Sequence, residues 1–294
     1  MVPRADLWVV VLAGGEGRRV RELTRDARGR PVPKQFCHFG SDRSLLRRTL
    51  ERAARITTSE RIVVVVCDPQ RPWWEVELAD HPPRNIVSQP ANRGTGVAIL
   101  HAALAITARD SRAVVLVMPS DHEVADEATL LEALVRAVDE ARPGRRLVLA
   151  GMEPEEADPD FGWIVPTPHD SRPLRGVATF VEKPERDVAT GLAASGALVS
   201  SFILAATGRF LLDLYQRRQP DLLRGVLTQG ADASAAGRDL DRLPTIDFSR
   251  DLLEHSRSRL GVVAVPPCGW TDLGTPERLR RWMNRHALEL ASAS

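Results

Sequence analysis

The sequence predicts an α/β fold with a mixed, mostly parallel central sheet flanked by helices. Short apolar, β-branched runs alternate with longer stretches of helical periodicity, the pattern of strands wrapped by helices on both faces. The first of these runs enters a glycine cluster directly, which is where such sheets bind ligands, at the carboxyl ends of their strands. The 294 residues, 43% hydrophobic and 27% charged, have the composition of an ordinary globular protein able to bury a large core.

In chain order, strands are expected at Leu7–Ala13, Arg61–Cys67, Asn85–Ser88, Ala113–Met118 and Arg146–Gly151, separated by helices at Ser44–Ile56, Gly94–Ala108 and Glu127–Ala141. The second half is more mixed. Strands are expected at Trp163–Pro166, Val177–Glu182, Ala197–Ala205 and Gly261–Pro266, with helices at Arg186–Ala194, Thr207–Arg218, Phe248–Ser256 and Pro276–Leu290. Gly230–Gly237, rich in Ala, Gly, Ser and Asp, reads as a mobile loop, and Ala291–Ser294 as a frayed end. No internal repeat or linker divides the chain, so residues 1–294 are expected to form one domain. Within it, about 1–150 form a nucleotide-binding half, about 151–275 a second half, and 276–294 a terminal helix and tail.

The formal net charge of +1 gives neither a nucleic-acid footprint nor an acidic tail. Leu7–Ala13 is too short for a membrane helix and lacks a cleavage site, so a cytoplasmic protein without membrane contact is expected. Cys37, Cys67 and Cys268 are isolated and odd in number, which supports neither a disulfide framework nor a zinc site. Of 40 basic residues only Lys34 and Lys183 are lysines. Two positions that keep a compact ammonium in so arginine-rich a chain are candidates for chemistry, since the two cations differ in shape and hydration.

The run Leu12, Ala13, Gly14, Gly15, Glu16, Gly17, Arg18, Arg19 follows the first strand, where glycines let a phosphate approach the backbone. It is neither a P-loop nor a spaced dinucleotide fingerprint. Arg18, Arg19, Arg21, Arg25, Arg28 and Arg30 then lead to Pro33, Lys34, Gln35 and Phe36. So cationic a segment suits a triphosphate, although a solvated basic loop would have the same composition. Asp121, in Met118-Pro-Ser-Asp-His122, and Asp272, in Gly269-Trp-Thr-Asp-Leu-Gly274, each follow an apolar run. Each is equally a turn or cap residue on its own. Gln89, Asn92, Gly94 and Thr95 open a long helix, with Asn92 or Thr95 available to cap it.

These motifs resemble those of the sugar-1-phosphate nucleotidyltransferases, and most closely the mannose-1-phosphate guanylyltransferases. The segments carrying the resemblance are 12–20, 33–36, 88–95, 118–122, 161–164, 180–184 and 269–274. The resemblance implies a Rossmann-like, GT-A-like fold and transfer of a nucleoside monophosphate, GMP from GTP, to mannose 1-phosphate with release of pyrophosphate. It implies that Leu12, Ala13, Gly14, Gly15, Gly17, Gln89, Asn92, Gly94 and Thr95 bind the nucleotide. It implies that Arg19, Lys34 and Lys183 are catalytic, neutralising the phosphates. Gly162, Glu182, Ser200 and Asp247 would face the sugar, and Asp121 and Asp272 would hold Mg2+, a hard cation that takes its other ligands from phosphates and water.

The chain departs from the family at Val199, where an asparagine usually touches mannose, because valine can neither donate nor accept through its side chain. A different sugar 1-phosphate such as a heptose 1-phosphate is therefore the alternative substrate. The nucleobase, the pathway served and homodimer formation stay open. A non-catalytic nucleotide-sugar sensor would be expected to lose the lysines or carboxylates, and all four are present. A glycosyltransferase would carry an Asp-x-Asp motif after a strand, and no predicted strand leads into Asp158-Pro-Asp160. Larger relatives carry a β-helix or isomerase domain beyond this point, so no second activity is expected here.

Overall fold

Strand β1 (Leu7–Leu12) is buried on both faces because its side chains feed two cores. Leu7, Val9 and Val11 enter one, and Trp8 and Val10 the other, which is the period of two that a strand imposes. The computed structural model describes residues 4–168, 174–228 and 243–292, with backbone alone beyond residue 285. Eight more strands join β1 in a single sheet among these residues: β2 (Ile62–Cys67), β3 (Ile86–Gln89), β4 (Val114–Pro119), β5 (Leu147–Met152), β6 (Gly162–Pro166), β7 (Leu174–Glu182), β8 (Leu198–Thr207) and β9 (Leu260–Val265).

Their spatial order is β3-β2-β1-β4-β8-β5-β9-β7-β6. Strands β3, β2, β1 and β4 are mutually parallel, and so are β5 and β9. Every pairing made by β8, β6 and β7 is antiparallel, and β6 also pairs with β8 through Trp163 opposite Val199. The strands β8-β5-β9-β7-β6 thereby close on themselves like a small barrel. The sheet is mixed as expected, but the expectation that it is mostly parallel is corrected: four of its pairings are parallel and five antiparallel. Runs buried on both faces read the same from either strand direction, so strand composition alone does not fix orientation.

Helices α1 (Leu45–Ala54), α2 (Arg71–Glu77), α4 (Glu127–Ala141) and α5 (Arg186–Ala194) cover one face. Helices α3 (Gly94–Thr107), α6 (Gly208–Arg218) and α7 (Pro220–Thr228) cover the other. The last helix, α8 (Pro276–Ser292), packs Leu279 and Trp282 on Val20, Leu45 and Leu273. That small cluster ties α8 to the turn after β1, to α1 and to the loop after β9. Helices α2 and α7 were not foreseen from the sequence: α2 is a seven-residue segment with two tryptophans, and α7 follows α6 after one residue.

The helix expected at Phe248–Ser256 is instead a wide π turn at Ser249–Leu253 followed by a tight 3-10 turn at Glu254–Arg259. The Asp247 carboxylate accepts from the N–H groups of Ser249 and Arg250, starting this segment in place of a regular helix. The Gly230–Gly237 loop reading, and the last two residues of the tail, lie outside the described residues. Among those described, no helix is long and apolar enough to cross a membrane.

Gly94 sets how α3 meets this segment. Its φ is +83°, and a Cβ there would lie 2.3 Å from the Ile246 carbonyl oxygen. A left-handed alanine costs about 1–2 kcal/mol, and overpacking about 1–3 kcal/mol more. Gly94→Ala is therefore expected to lower the Tm by at least about 5 °C in a thermal melt.

Candidate active site

The turn after β1 is built around Gln35. Its side-chain amide donates to the main-chain oxygens of Ala13 (2.8 Å) and Gly15 (2.9 Å), and Gln70 donates to Gly15 as well (2.9 Å). Two buried glutamines thus hold the glycine turn open from beneath. Gly17, at φ +60°, lies against Lys34: a Cβ there would be 3.3 Å from the lysine backbone nitrogen. Glycine is what allows this turn to close over Lys34, which is only 4% exposed.

Lys34 reaches the second half of the chain. Its Nζ pairs with Asp121 Oδ2 at 2.8 Å and also donates to the main-chain oxygen of Asp272. The loops carrying these two aspartates are zipped together, because Glu123 and Thr271 exchange backbone hydrogen bonds (2.9 and 3.0 Å) and the Cys268 oxygen accepts from Ala125 and Asp126. That bridge brings Asp121, from the end of β4, and Asp272, from beyond β9, to one ammonium, which meets the carboxylate of the first and the main-chain oxygen of the second.

Burial works against ionising Asp121, but Lys34 and the neighbouring His122 outweigh it and hold the carboxyl below its ordinary range. His122 itself is pushed down to about 4 by burial, so its ring is neutral at neutral pH. Its Nδ1 lies 3.2 Å from the Trp270 indole N–H, and accepting that bond leaves its own proton on Nε2.

A cavity of about 140 Å3 opens beside this junction. Its walls include Arg19, Asp160, Phe161, Gly162, Glu182, Lys183, Ser200, Phe202, Trp270 and Asp272. Lys183 is paired with Glu182 at 3.1 Å, and burial raises the Glu182 pKa against the pull of that lysine. Lys183, Phe202 and Leu273 all sit at positive φ (+49°, +57° and +49°). Such backbone strain in non-glycine residues clusters where the fold fixes side chains for a purpose.

Of the residues singled out in the sequence, Arg19, Lys34, Lys183, Asp121, Asp272, Gly162, Glu182 and Ser200 come together at this cavity and the junction beside it. The others are placed differently. Gln89 is buried and bonds His101 Nδ1 at 3.2 Å. Thr95 accepts from the Phe248 N–H (2.9 Å), so it secures the 249–253 turn and does not cap α3. Asn92 donates to Gly14 O (3.2 Å) and accepts from Gly94 N–H (2.9 Å). Gly14 and Asn92 border a separate hollow of about 240 Å3, together with Glu16, Arg21, Gln70 and Trp73. Leu12 and Ala13 are held within the β1 end by backbone bonds to Ser120 and Val65. Asp247 is committed to starting the π turn. Val199 is buried and lines a third hollow, of about 210 Å3, behind Trp270.

The arginine run is largely self-paired: Arg18 with Glu16, Arg25 with Glu22, and Arg30 with Asp26. Arg19 alone of the six borders the 140 Å3 cavity, paired with Asp160 at 2.8 Å. Sequence reasoning missed Arg278, on the first turn of α8, which pairs with Asp272 through Nε at 2.8 Å and with Asp158 through Nη1. It also left Asp158 and Asp160 without a role, for want of a strand before them. They serve as counter-ions to Arg278 and Arg19. Only the acidic spacing of that pair could have signalled them.

The donors fit a hard divalent cation that keeps part of its water. Asp121 and Asp272 would offer carboxylate oxygens to such an ion, which would have to take them from their present partners, Lys34 and Arg278. Mg2+ is held in this way, by one or two carboxylates completed by substrate phosphates.

The sequence model described as nucleotidyl transferase matches residues 8–287. The mannose-1-phosphate guanylyltransferase ManC of Salmonella typhimurium is 31% identical over 295 residues, covering 92% of this chain and 58% of the relative. A mannose-1-phosphate guanylyltransferase of Escherichia coli is 30% identical over 288 residues, covering 92% and 59%. The chain therefore spans a little under three fifths of the length of these curated relatives. A crystal structure described as mannose-1-phosphate geranyltransferase from Thermus thermophilus superposes with a TM-score of 0.79 at 27% identity, covering 92% of this chain and 76% of that one. A structure described as mannose-6-phosphate isomerase from Helicobacter pylori, at 20% identity and TM-score 0.71, shares the fold.

Proposed function

The chain belongs to the nucleotidyl transferase family, and from that premise we propose that it transfers GMP from GTP to mannose 1-phosphate, releasing pyrophosphate. The observation that carries this reading is the Lys34 ammonium, set between the Asp121 carboxylate and the Asp272 backbone where the glycine turn meets the Lys183 cavity. The relatives named mannose-1-phosphate guanylyltransferase support the choice of base and sugar.

In this reading the glycine turn and Asn92 receive the nucleotide, while Arg19 and Lys34 neutralise its phosphates. Lys183 holds the sugar phosphate, and Glu182, beside Gly162 and Ser200, accepts from the sugar hydroxyls. The attacking phosphate oxygen is already anionic near neutral pH, so no side chain has to remove a proton. Catalysis rests on holding two polyanions in line and cancelling their charge. Bound Mg2+, held by Asp121 and Asp272, would supply further charge neutralisation at the phosphates. The GT-A-like arrangement, a single domain over 1–294, and a soluble enzyme working in the cytoplasm belong to the same proposal.

Pyrophosphate release should be measured across a matrix of nucleoside triphosphates and sugar 1-phosphates with Mg2+ present. GTP with mannose 1-phosphate is expected to give the highest kcat/KM. A maximum on a heptose 1-phosphate would move the sugar assignment and point to Val199 as its cause. No pyrophosphate from any pair would overturn the reading.

A further inference from the structure

Both candidate metal carboxylates are already paired with cations of the chain itself. Asp121 is paired with Lys34, and Asp272 with Arg278. In the second pairing Nη2 donates to Asp272, while Nε lies close to its other oxygen without hydrogen-bond geometry. Arg278 is 8% exposed, its Nε and Nη2 lie 2.8 and 3.2 Å from the two oxygens of Asp272, and its Nη1 is held by Asp158. The guanidinium carbon lies 4.4 Å from the centroid of the Phe161 ring, a wall of the cavity. Thr275 accepts from the Arg278 backbone N–H (3.2 Å), and Leu279 beside it is fully buried, so α8 delivers this side chain rigidly.

We infer that Arg278 is a positioning residue that occupies Asp272 until the cation arrives with the triphosphate, so that the protein takes up metal and nucleotide together and does not retain free metal. This rests on the metal assignment proposed above. With Asp272 shared between Arg278 and a backbone N–H, a hydrated cation alone gains too little to displace the guanidinium. A cation already neutralised by phosphates needs fewer protein ligands, and the triphosphate offers Lys34 a competing partner. Arg278 then keeps Asp158 as its counter-ion when Asp272 turns to the metal. Asp158 is thus the acceptor that makes the exchange reversible.

Mn2+ binding to the full chain, read by the loss of free-ion electron paramagnetic resonance signal, separates the claims. In the wild type, Mn2+ is expected to bind weakly alone, and at least about tenfold more tightly to protein with GTP than to GTP alone. Arg278→Gln should tighten binding of Mn2+ alone by about tenfold while lowering kcat, because Asp272 is freed but no longer oriented. A merely structural role would lower the Tm and leave Mn2+ affinity unchanged or weaker, which would overturn the inference. If Arg278→Gln does not fold, Asp158→Asn decides. With its second counter-ion gone, Arg278 should cling to Asp272 and raise the Mn2+ needed for half-saturation in the presence of GTP by about tenfold. An unchanged or lower requirement overturns the inference. Absence of any joint Mn2+ and GTP binding in the wild type would instead overturn the metal assignment itself.

Discussion

Replacing either Asp121 or Asp272 by Asn should lower kcat for pyrophosphate release by at least about 10^3-fold, since a catalytic metal contributes several kcal/mol and each 1.4 kcal/mol is tenfold. Asparagine keeps the shape and one oxygen but removes the charge that a hard cation selects. The fold should survive both changes. Asp121 is about one-third exposed, and Lys34 retains its bond to the Asp272 main-chain oxygen without it. Asp272→Asn leaves Arg278 paired with Asp158. Thermal melts within a few degrees of wild type, together with the loss of turnover, would locate the defect in chemistry. Near-normal turnover of either variant with saturating Mg2+ would contradict the assignment.

Lys34→Gln should lower kcat by about 10^2–10^3-fold, the usual effect of removing one preorganised charge from a transition state that develops charge. Lys34→Arg should fare little better. The lysine is 4% exposed, closed over by Gly17, and reaches two oxygens with a compact head, so a planar guanidinium has neither the room nor the geometry. Lys183 is the internal control: its side chain is 43% exposed, and Lys183→Arg should retain a far larger share of activity. Steady-state kinetics on the three variants would check this contrast. Equal tolerance of arginine at both positions would mean that Lys34 is not held as tightly as its contacts indicate.

Much of this architecture can be read in the sequence because it depends on local pattern. The helices at Glu127–Ala141 and Arg186–Ala194 have the bounds that periodicity predicts, and the strands begin and end within a few residues of their apolar runs. Lys34 and Lys183 stand out in an arginine-rich chain for a reason the coordinates make concrete: both sit where a small ammonium meets a carboxylate. Strand direction was not legible, since β8 runs antiparallel to β4 and β5 yet carries the same apolar composition as a parallel strand.

Arg278 was not legible either. It is one of 38 arginines; Asp272 lies six residues before it, but the partner that holds its other end, Asp158, lies 120 residues away. Gln89 and Thr95 lie in a segment that resembles the family's, and Asp247 was expected to face the sugar, while in the fold Gln89 bonds His101, Thr95 bonds Phe248 and Asp247 accepts from the Ser249 N–H. The Thr95–Phe248 bond, across 153 residues, leaves no local trace in the sequence.

The proposed convergence of Asp121 and Asp272 on one cation is tested most directly by a crystal grown with Mn2+ and a non-hydrolysable GTP analogue, read by anomalous scattering. One peak within about 2.3 Å of a carboxylate oxygen of each residue, and in contact with the triphosphate, is expected. A peak that touches neither aspartate, or only one of them, would contradict it.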